Sequence, residues 1–589
     1  MRTGGGRQRS DAGKLADRKE KIGGRKAGRL KREDGGRKAG RLKREDGGRK
    51  VGRLKREDGD GKTTVRLKRP MAENERMGKG NGYMGNRLTQ KWKSLERQYK
   101  IAFCSALLIG LCTHMYMMVN KLPNHDYVYN INSDQFAWPL SLGRWFLHIA
   151  TGVSSYFILP WVNGVLAILY ASVAAALIVA VLEIKNPVPV VLCSGLLVTY
   201  PAFADTLGYM FLADGFLFGL LLSVTGVWFW HRKKDAAGIV GLALCLALSV
   251  GIYQAYLSFA IILILVRLIL DMLEKRYENR ELMIRGAKAL TGGALGMALY
   301  YVGLLIMMRM NHIGFSDYMG MDSVSAPGIS KLLSTLKRDT IAFVEMFTGG
   351  NSDFTAYEIF NIVFIFSFLA LLIFTAVKQK LYKRKLQALL TVLACLLFIP
   401  AAYVFDFLSE EIVYRFMMLY SLVLIYMLFV KLADCYLGGW LSEACAALIA
   451  AIVFNFAVIS NIGYLNLEYC WEQTYATAVR MQERITLLDG FDTDCHLMIT
   501  GTIQTERRDW LLDRIPYMVG VDDVNLMRNQ TFIRVILMQD LGMTLEGVDP
   551  DEREWVLAQA EYAEMTCWPQ AGSVRMIDGI IVVKLSEEP

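Results

Sequence analysis

The sequence predicts an all-α polytopic membrane protein of about eleven transmembrane helices with a small C-terminal α/β extracytoplasmic domain. Three observations carry this. The 589 residues are 53% hydrophobic with a mean hydropathy of +0.28, more apolar surface than a water-solvated chain of this size can hide. Apolar windows close to the length of a bilayer-crossing helix recur between residues 101 and 463. Lysine and arginine gather in a subset of the connections, which assigns each connection to a side.

The first segment is of another kind. Residues 23–34 read GGRKAGRLKRED, residues 35–46 repeat them unchanged, and residues 47–58 repeat them with Val51 in place of alanine. Such a repeat has no apolar face to bury, so residues 1–94 are expected to form a disordered basic arm. A polybasic arm suits anionic lipid headgroups or nucleic acid. The unchanged repetition, followed by Met71 and Met77, fits better a start placed too early in repetitive DNA, and no nucleic-acid partner is expected. No apolar core follows the charges closely enough for a signal peptide.

Residues 95–463 form the expected transmembrane domain. Spans are read near 101–119, 156–182, 188–204, 208–230, 238–252, 255–272, 286–308, 357–377, 387–405, 415–433 and 442–463. Basic clusters lie before the first span (Arg87 to Lys100), at Arg232–Lys234, from Lys275 to Arg285, and from Lys378 to Lys385. An odd number of spans puts all four on one side, which the distribution of positive charge makes the cytoplasm. The expectation is a multi-pass protein of the cell membrane, with a cytoplasmic N-terminus and everything after residue 464 outside.

The outward connections hold the unusual polar residues. The first runs through Asn124-His125-Asp126 and Asp134 to Gly143-Arg144. A charge held beside apolar helices is costly unless it is paired or used. Asp126 is therefore a candidate general base, and Arg144, whose planar fork matches phosphate, a candidate anion binder. Asp205 lies between two spans, with Asp214 just inside the next. Tyr253 and Gln254 interrupt an apolar stretch, and the Gln254 amide both donates and accepts, which suits a sugar hydroxyl. Arg415 opens a late span. There is no Walker motif and no nucleophile elbow, and Gly-rich pieces such as 291–296 read as helix packing.

With Pro123-Asn-His-Asp126 followed by Gly143-Arg144, and with Gly251-Ile-Tyr-Gln-Ala-Tyr256, the chain resembles the bacterial membrane glucosyl transferases that decorate O-antigen. The resemblance covers residues 95–465. That family carries an Asn-Asp-Asp type motif after its first span; here His125 replaces the first acid, leaving Asp126 as the motif's carboxylate. The resemblance implies a GT-C-like glycosyltransferase that moves a hexose, glucose by analogy, from a polyprenyl phosphate donor to a cell-surface glycan on the outer face. It implies Asp126 as the catalytic base, Arg144 and Arg415 on the donor phosphate, and Asn124, His125, Asp134, Asp205, Tyr253 and Gln254 as substrate-binding residues. A monophosphate donor needs less charge neutralisation than a nucleotide diphosphate, so no metal or other cofactor is expected. The rival reading is a transporter or flippase of lipid-linked saccharide, which calls for internal repeats and charges at the bilayer midplane.

Residues 464–589 are more polar. Residues 471–488 read as a helix, and Asp549-Pro550 as the cap and first residue of another reaching about Met565. Residues 496–500, 532–537 and 579–585 read as short buried strands. The ten cysteines include no C-x-x-C pair. Of those in this part, Cys470, Cys495 and Cys567, two are placed to pair if the domain lies in an oxidising space.

Overall fold

The computed structural model describes residues 83–127, 136–233, 235–318, 329–348, 355–407, 412–503, 505–523, 526–527 and 530–587. The basic repeat and Asp134 lie outside them, whereas Tyr83–Ser94, the last part of the arm expected to be disordered, forms a helix. Among the described residues nine helices are long and apolar enough to cross a membrane. In chain order the membrane-region helices begin with α1 (Arg97–Val119), α2 (Pro160–Leu182), α3 (Pro187–Gly208), α4 (Met210–Arg232) and the shorter α5 (Ala236–Ile252). Then come α6 (Tyr256–Leu273), α7 (Asn279–Asn311), α8 (Ile329–Thr348) and α9 (Ala356–Lys378). The short α10 (Lys385–Leu396), α11 (Phe416–Tyr436) and α12 (Trp440–Thr486) complete the set. Every apolar segment read as a span carries one of these helices.

Local chemistry sets the ends. Proline stands at the first turn of α2 and α3, where its missing N–H breaks no helical bond. Pro201 stands within α3, so that span is bent into two pieces at Tyr200. The segment read as a span at 387–405 is not one helix: α10 stops at Leu396 and short turns around Pro400 carry the chain on to Phe407. α9 opens with a capping box, the Thr355 hydroxyl accepting from the Tyr357 N–H while the Glu358 carboxylate accepts from the Thr355 N–H at 2.8 Å.

α4 packs between α2 and α5, and α1 lies against α2 and α3. The end of the bundle where α4 finishes carries a charge network. Arg267, fully buried on α6, donates to Asp271 at 2.6 Å and to Glu274 at 3.0 Å. Arg276 pairs with Glu183, which lies 3.3 Å from His231, and Arg285 lies 3.2 Å from Asp271. Gln387 donates to the Tyr277 carbonyl at 3.2 Å, and Lys378 to the Tyr436 carbonyl at 2.7 Å. The basic clusters around residues 232, 280 and 380 therefore meet at one end.

The helix expected at 471–488 is the last part of α12, which runs unbroken for 47 residues. Beyond it lie β1 (His496–Thr500), α13 (Gln530–Leu541), α14 (Pro550–Leu557), β2 (Val574–Ile577) and β3 (Ile580–Lys584). β3 is central, parallel to β1 and antiparallel to β2, and its four apolar residues Ile580–Val583 are buried, together with Lys584. The strand expected at 532–537 is instead part of α13. Its buried residues are Phe532, Ile533, Val535, Ile536 and Leu537, with Phe532/Ile536 and Ile533/Leu537 one helical turn apart, and the helix packs on the end of α12 and β1. Asp549 and Glu552 form the capping box of α14, which ends at Leu557, short of Met565. No disulfide joins Cys470, Cys495 or Cys567 to another of the described cysteines.

Candidate active site

The site grows from the turn after α1. Asn124 is 1% exposed, and its side-chain oxygen accepts the Asp126 N–H at 3.1 Å while its carbonyl accepts the Tyr127 N–H at 3.0 Å. This is an Asx-type turn, the local geometry that short amides favour. It presents Asp126 outward, with 36% of its side chain exposed.

His125 is the middle residue of the same turn. Its Nδ1 lies 3.0 Å from Asp523 Oδ2, and its backbone N–H donates to that oxygen at 2.8 Å. Its Nε2 lies 3.5 Å from Asp126 Oδ1 and 3.4 Å from the Tyr209 hydroxyl. Tyr209 occupies the break between α3 and α4. Its hydroxyl accepts from Arg415 Nη1 at 2.9 Å, and Arg415 Nη2 donates to the Tyr318 hydroxyl at 2.9 Å. Burial works against the Arg415 charge, but the oxygens of Tyr209, Tyr318, Tyr253 and Asp126 around it prevail, and its pKa lies above the ordinary guanidinium value.

Arg144 reaches the same region from the other side. Gly143 takes a positive φ of 82°, and the Arg144 N–H donates to the Pro139 carbonyl at 2.8 Å, which closes the turn. The guanidinium lies over the Tyr253 ring at 5.0 Å, and its Nε is buried without a hydrogen-bond partner among the described residues. Gln254 donates to the Leu142 carbonyl at 2.5 Å, so its amide holds the Arg144 turn in place. Tyr253 comes under the charges of both Arg144 and Arg415.

Asp205 is fully buried, and both its oxygens are taken by backbone: Oδ2 accepts the Met417 N–H at 2.7 Å and Oδ1 the Gly520 N–H at 2.6 Å. It fastens α3 to the start of α11 and to the 505–523 segment. The contact is close: a Cβ on Gly208 would fall 2.2 Å from the Gly520 carbonyl oxygen. Asp214 accepts from Asn163 at 3.3 Å, inside the bundle.

The structure thus gathers Asn124, His125, Asp126, Arg144, Tyr253, Gln254 and Arg415 around one rim, with Asp205 beneath it as a backbone acceptor. Tyr209, Tyr318 and Asp523 join them although the sequence did not single them out. Tyr209 follows a glycine between two apolar segments, a break that was legible. Tyr318 and Asp523 sit in irregular stretches without local signal. The arrangement sets a half-exposed carboxylate beside His125, whose neighbour Tyr209 holds the Arg415 guanidinium, which suits removing a proton from one reactant while an anion is held on another.

A family described as Glucosyl transferase GtrII matches residues 115–433, more than half of the chain. The chain belongs to that family. No curated protein and no solved structure matches it. Membership makes this GtrII protein a glycosyltransferase of the membrane. The GtrII match takes in Asp126, Arg144, Tyr253, Gln254 and Arg415. It stops before α12 and the segment that supplies Asp523.

Proposed function

We propose that this GtrII-family protein transfers a hexose, glucose by family, from a polyprenyl phosphate donor to a cell-surface glycan on the outer face of the cell membrane. The observation that carries the reading is the half-exposed Asp126 beside His125, with the Tyr209 hydroxyl near the same imidazole holding the Arg415 guanidinium. A hydroxyl oxygen of the acceptor bonds to the anomeric carbon of the donor while the bond from that carbon to the phosphate oxygen breaks. Asp126 takes the hydroxyl proton. The polyprenyl phosphate leaves with the bonding electron pair, and Arg415 and Arg144 carry its charge. The unpartnered Arg144 Nε supports this role, because a buried donor without an acceptor is costly until a ligand supplies one.

The orientation belongs to the same proposal. The basic clusters that meet at the far end of α4 favour that end as cytoplasmic, which puts Asp126, Arg144 and Arg415 outside. The lipid tail of the donor then stays in the bilayer while its sugar reaches the rim.

The test is transfer by the purified full-length protein in lipid nanodiscs, from polyprenyl phosphate glucose to a cell-surface polysaccharide. Asp126→Asn is expected to lower the rate by about 10²- to 10⁴-fold, the range of a positioned general base. A folded Asp126→Asn variant that transfers at the wild-type rate removes the assignment. Donor binding by the wild type without transfer points instead to a transporter.

A further inference from the structure

We infer that Asp523, supplied by the C-terminal segment outside the family match, is a positioning residue of the transferase site: it fixes the tautomer of His125 so that Nε2 can relay the proton taken by Asp126. The inference rests on Asp126 as the base and adds the residue that serves it.

The geometry carries the argument. One oxygen of Asp523 lies 2.8 Å from the His125 backbone nitrogen and 3.0 Å from its Nδ1. The backbone N–H is a fixed donor, and a carboxylate oxygen only accepts, so the proton on the ring sits at Nδ1. The Nε2 lone pair then faces Asp126 Oδ1 at 3.5 Å, a separation of the kind that tightens when substrate closes the site. Asp523 is 4% exposed, so water competes little for this contact.

The surroundings agree. Tyr209, from the break between α3 and α4, lies edge-on to the imidazole with its hydroxyl 3.4 Å from Nε2. That hydroxyl already accepts from Arg415, so its own proton is free to point at Nε2 or at substrate. Among the described residues, charged and titratable groups facing His125 include Asp126 on its own turn, Asp523 on the C-terminal segment, Tyr209, Asp205 below it and Arg415 beyond Tyr209. Asn466 of α12 holds the segment in place, its amide donating to the carbonyls of Val521 and Asp523 at 2.8 Å each.

The proton balance is simple. The acceptor hydroxyl gives its proton to Asp126, and Asp126 passes it to Nε2. The resulting imidazolium, with Nδ1–H already on Asp523, is neutralised between two carboxylates until it releases the proton to water or to the departing phosphate. His125 thus takes the proton onward from Asp126, and it needs Asp523 to do so.

The experiment has two readouts. Nitrogen-15 NMR of histidine-labelled full-length protein in nanodiscs, assigned with His125→Gln, is expected to show the Nδ1–H form at neutral pH. Asp523→Ala is expected to lose it, while Asp523→Asn, whose amide oxygen still accepts from both N–H groups, and Asp523→Glu are expected to keep it. In parallel, with polyprenyl phosphate glucose as donor, Asp523→Ala is expected to lower kcat about ten- to a hundredfold at unchanged donor KM, and to move the acid limb of the pH profile to lower pH. In a His125→Gln background the same substitution should add nothing. A wild-type ring protonated at Nε2, an Asp523→Ala enzyme with wild-type kcat, or an undiminished loss in the His125→Gln background each overturns the inference. Asp126→Asn at the wild-type rate, with the Nδ1–H form intact, overturns the base assignment instead.

Discussion

Arg415 donates from Nη1 to the Tyr209 hydroxyl and from Nη2 to the Tyr318 hydroxyl, both at 2.9 Å, so a single guanidinium spans two phenols from distant parts of the chain. Two donors fixed in one plane set the direction of the positive charge toward the rim where Asp126 stands. Lysine offers a point charge on a flexible stem and cannot reproduce that fork. Arg415→Lys is therefore expected to keep the fold but to lower kcat/KM by about tenfold to a hundredfold, close to Arg415→Ala. Transfer kinetics in nanodiscs check this, and a Lys variant within twofold of wild type would show that charge alone suffices.

Asp205 makes a contrasting case. Its carboxylate accepts two backbone N–H groups in a fully buried position, so Asp205→Ala leaves both donors unsatisfied. Each orphaned donor costs about 1–3 kcal/mol, so the variant should lose about 2–6 kcal/mol of stability. Thermal unfolding of the nanodisc-embedded protein reads this directly. Asp205→Asn keeps one acceptor and should fall between. A wild-type melting temperature for Asp205→Ala would mean that the Met417 and Gly520 amides find other partners.

The apolar segments were legible because a span is specified by composition over a window, a property of neighbouring residues alone. The position of Asp126 was legible for a similar reason: it follows from where the first apolar window ends. Where periodicity was short the reading failed. Residues 532–537 are as apolar as a strand, and only the turn-spaced burial of Phe532, Ile533, Ile536 and Leu537 distinguishes the helix. The break of α10 before Pro400 needed the neighbouring helices, which a window does not contain. Asp523 had no signal, because its meaning comes from His125, 398 residues away. Asp205 stands out as polar among apolar residues, but its partners are backbone groups from two other segments and carry no mark in the sequence.

Cysteines already in the chain test the orientation. Cys435 is exposed near the end of α11 that is assigned to the cytoplasm, and Cys495 is half-buried in the part assigned outside. In sealed right-side-out vesicles holding single-cysteine variants, a membrane-impermeant maleimide is expected to label Cys495 and spare Cys435. Permeabilised vesicles should expose both. The reverse pattern would turn the bundle over and place the transferase rim in the cytoplasm, which rules out an outer-face acceptor.

A buried acid pair predicts how stability depends on pH. Asp339 on α8 is 1% exposed, and neither of its carboxyl oxygens has a hydrogen-bond partner among the described residues. Asp406, 5% exposed, lies beside it and accepts from Arg338 Nη2 at 2.6 Å. Burial, and then the neighbouring Asp406 carboxylate, raise the pKa of Asp339 well above the usual carboxyl value, while Arg338 opposes the shift only in part. The folded protein therefore holds this proton at a pH where the unfolded chain, titrating near 4, has released it. The associated stability is complete below about pH 4 and is lost as pH rises through the raised value. Wild-type melting temperature should thus fall, relative to Asp339→Asn, between about pH 5 and about pH 8, with the variant the more stable at the upper end because its amide stays neutral. Parallel pH dependences for the two proteins would mean that Asp339 is ionised and solvated in the folded state.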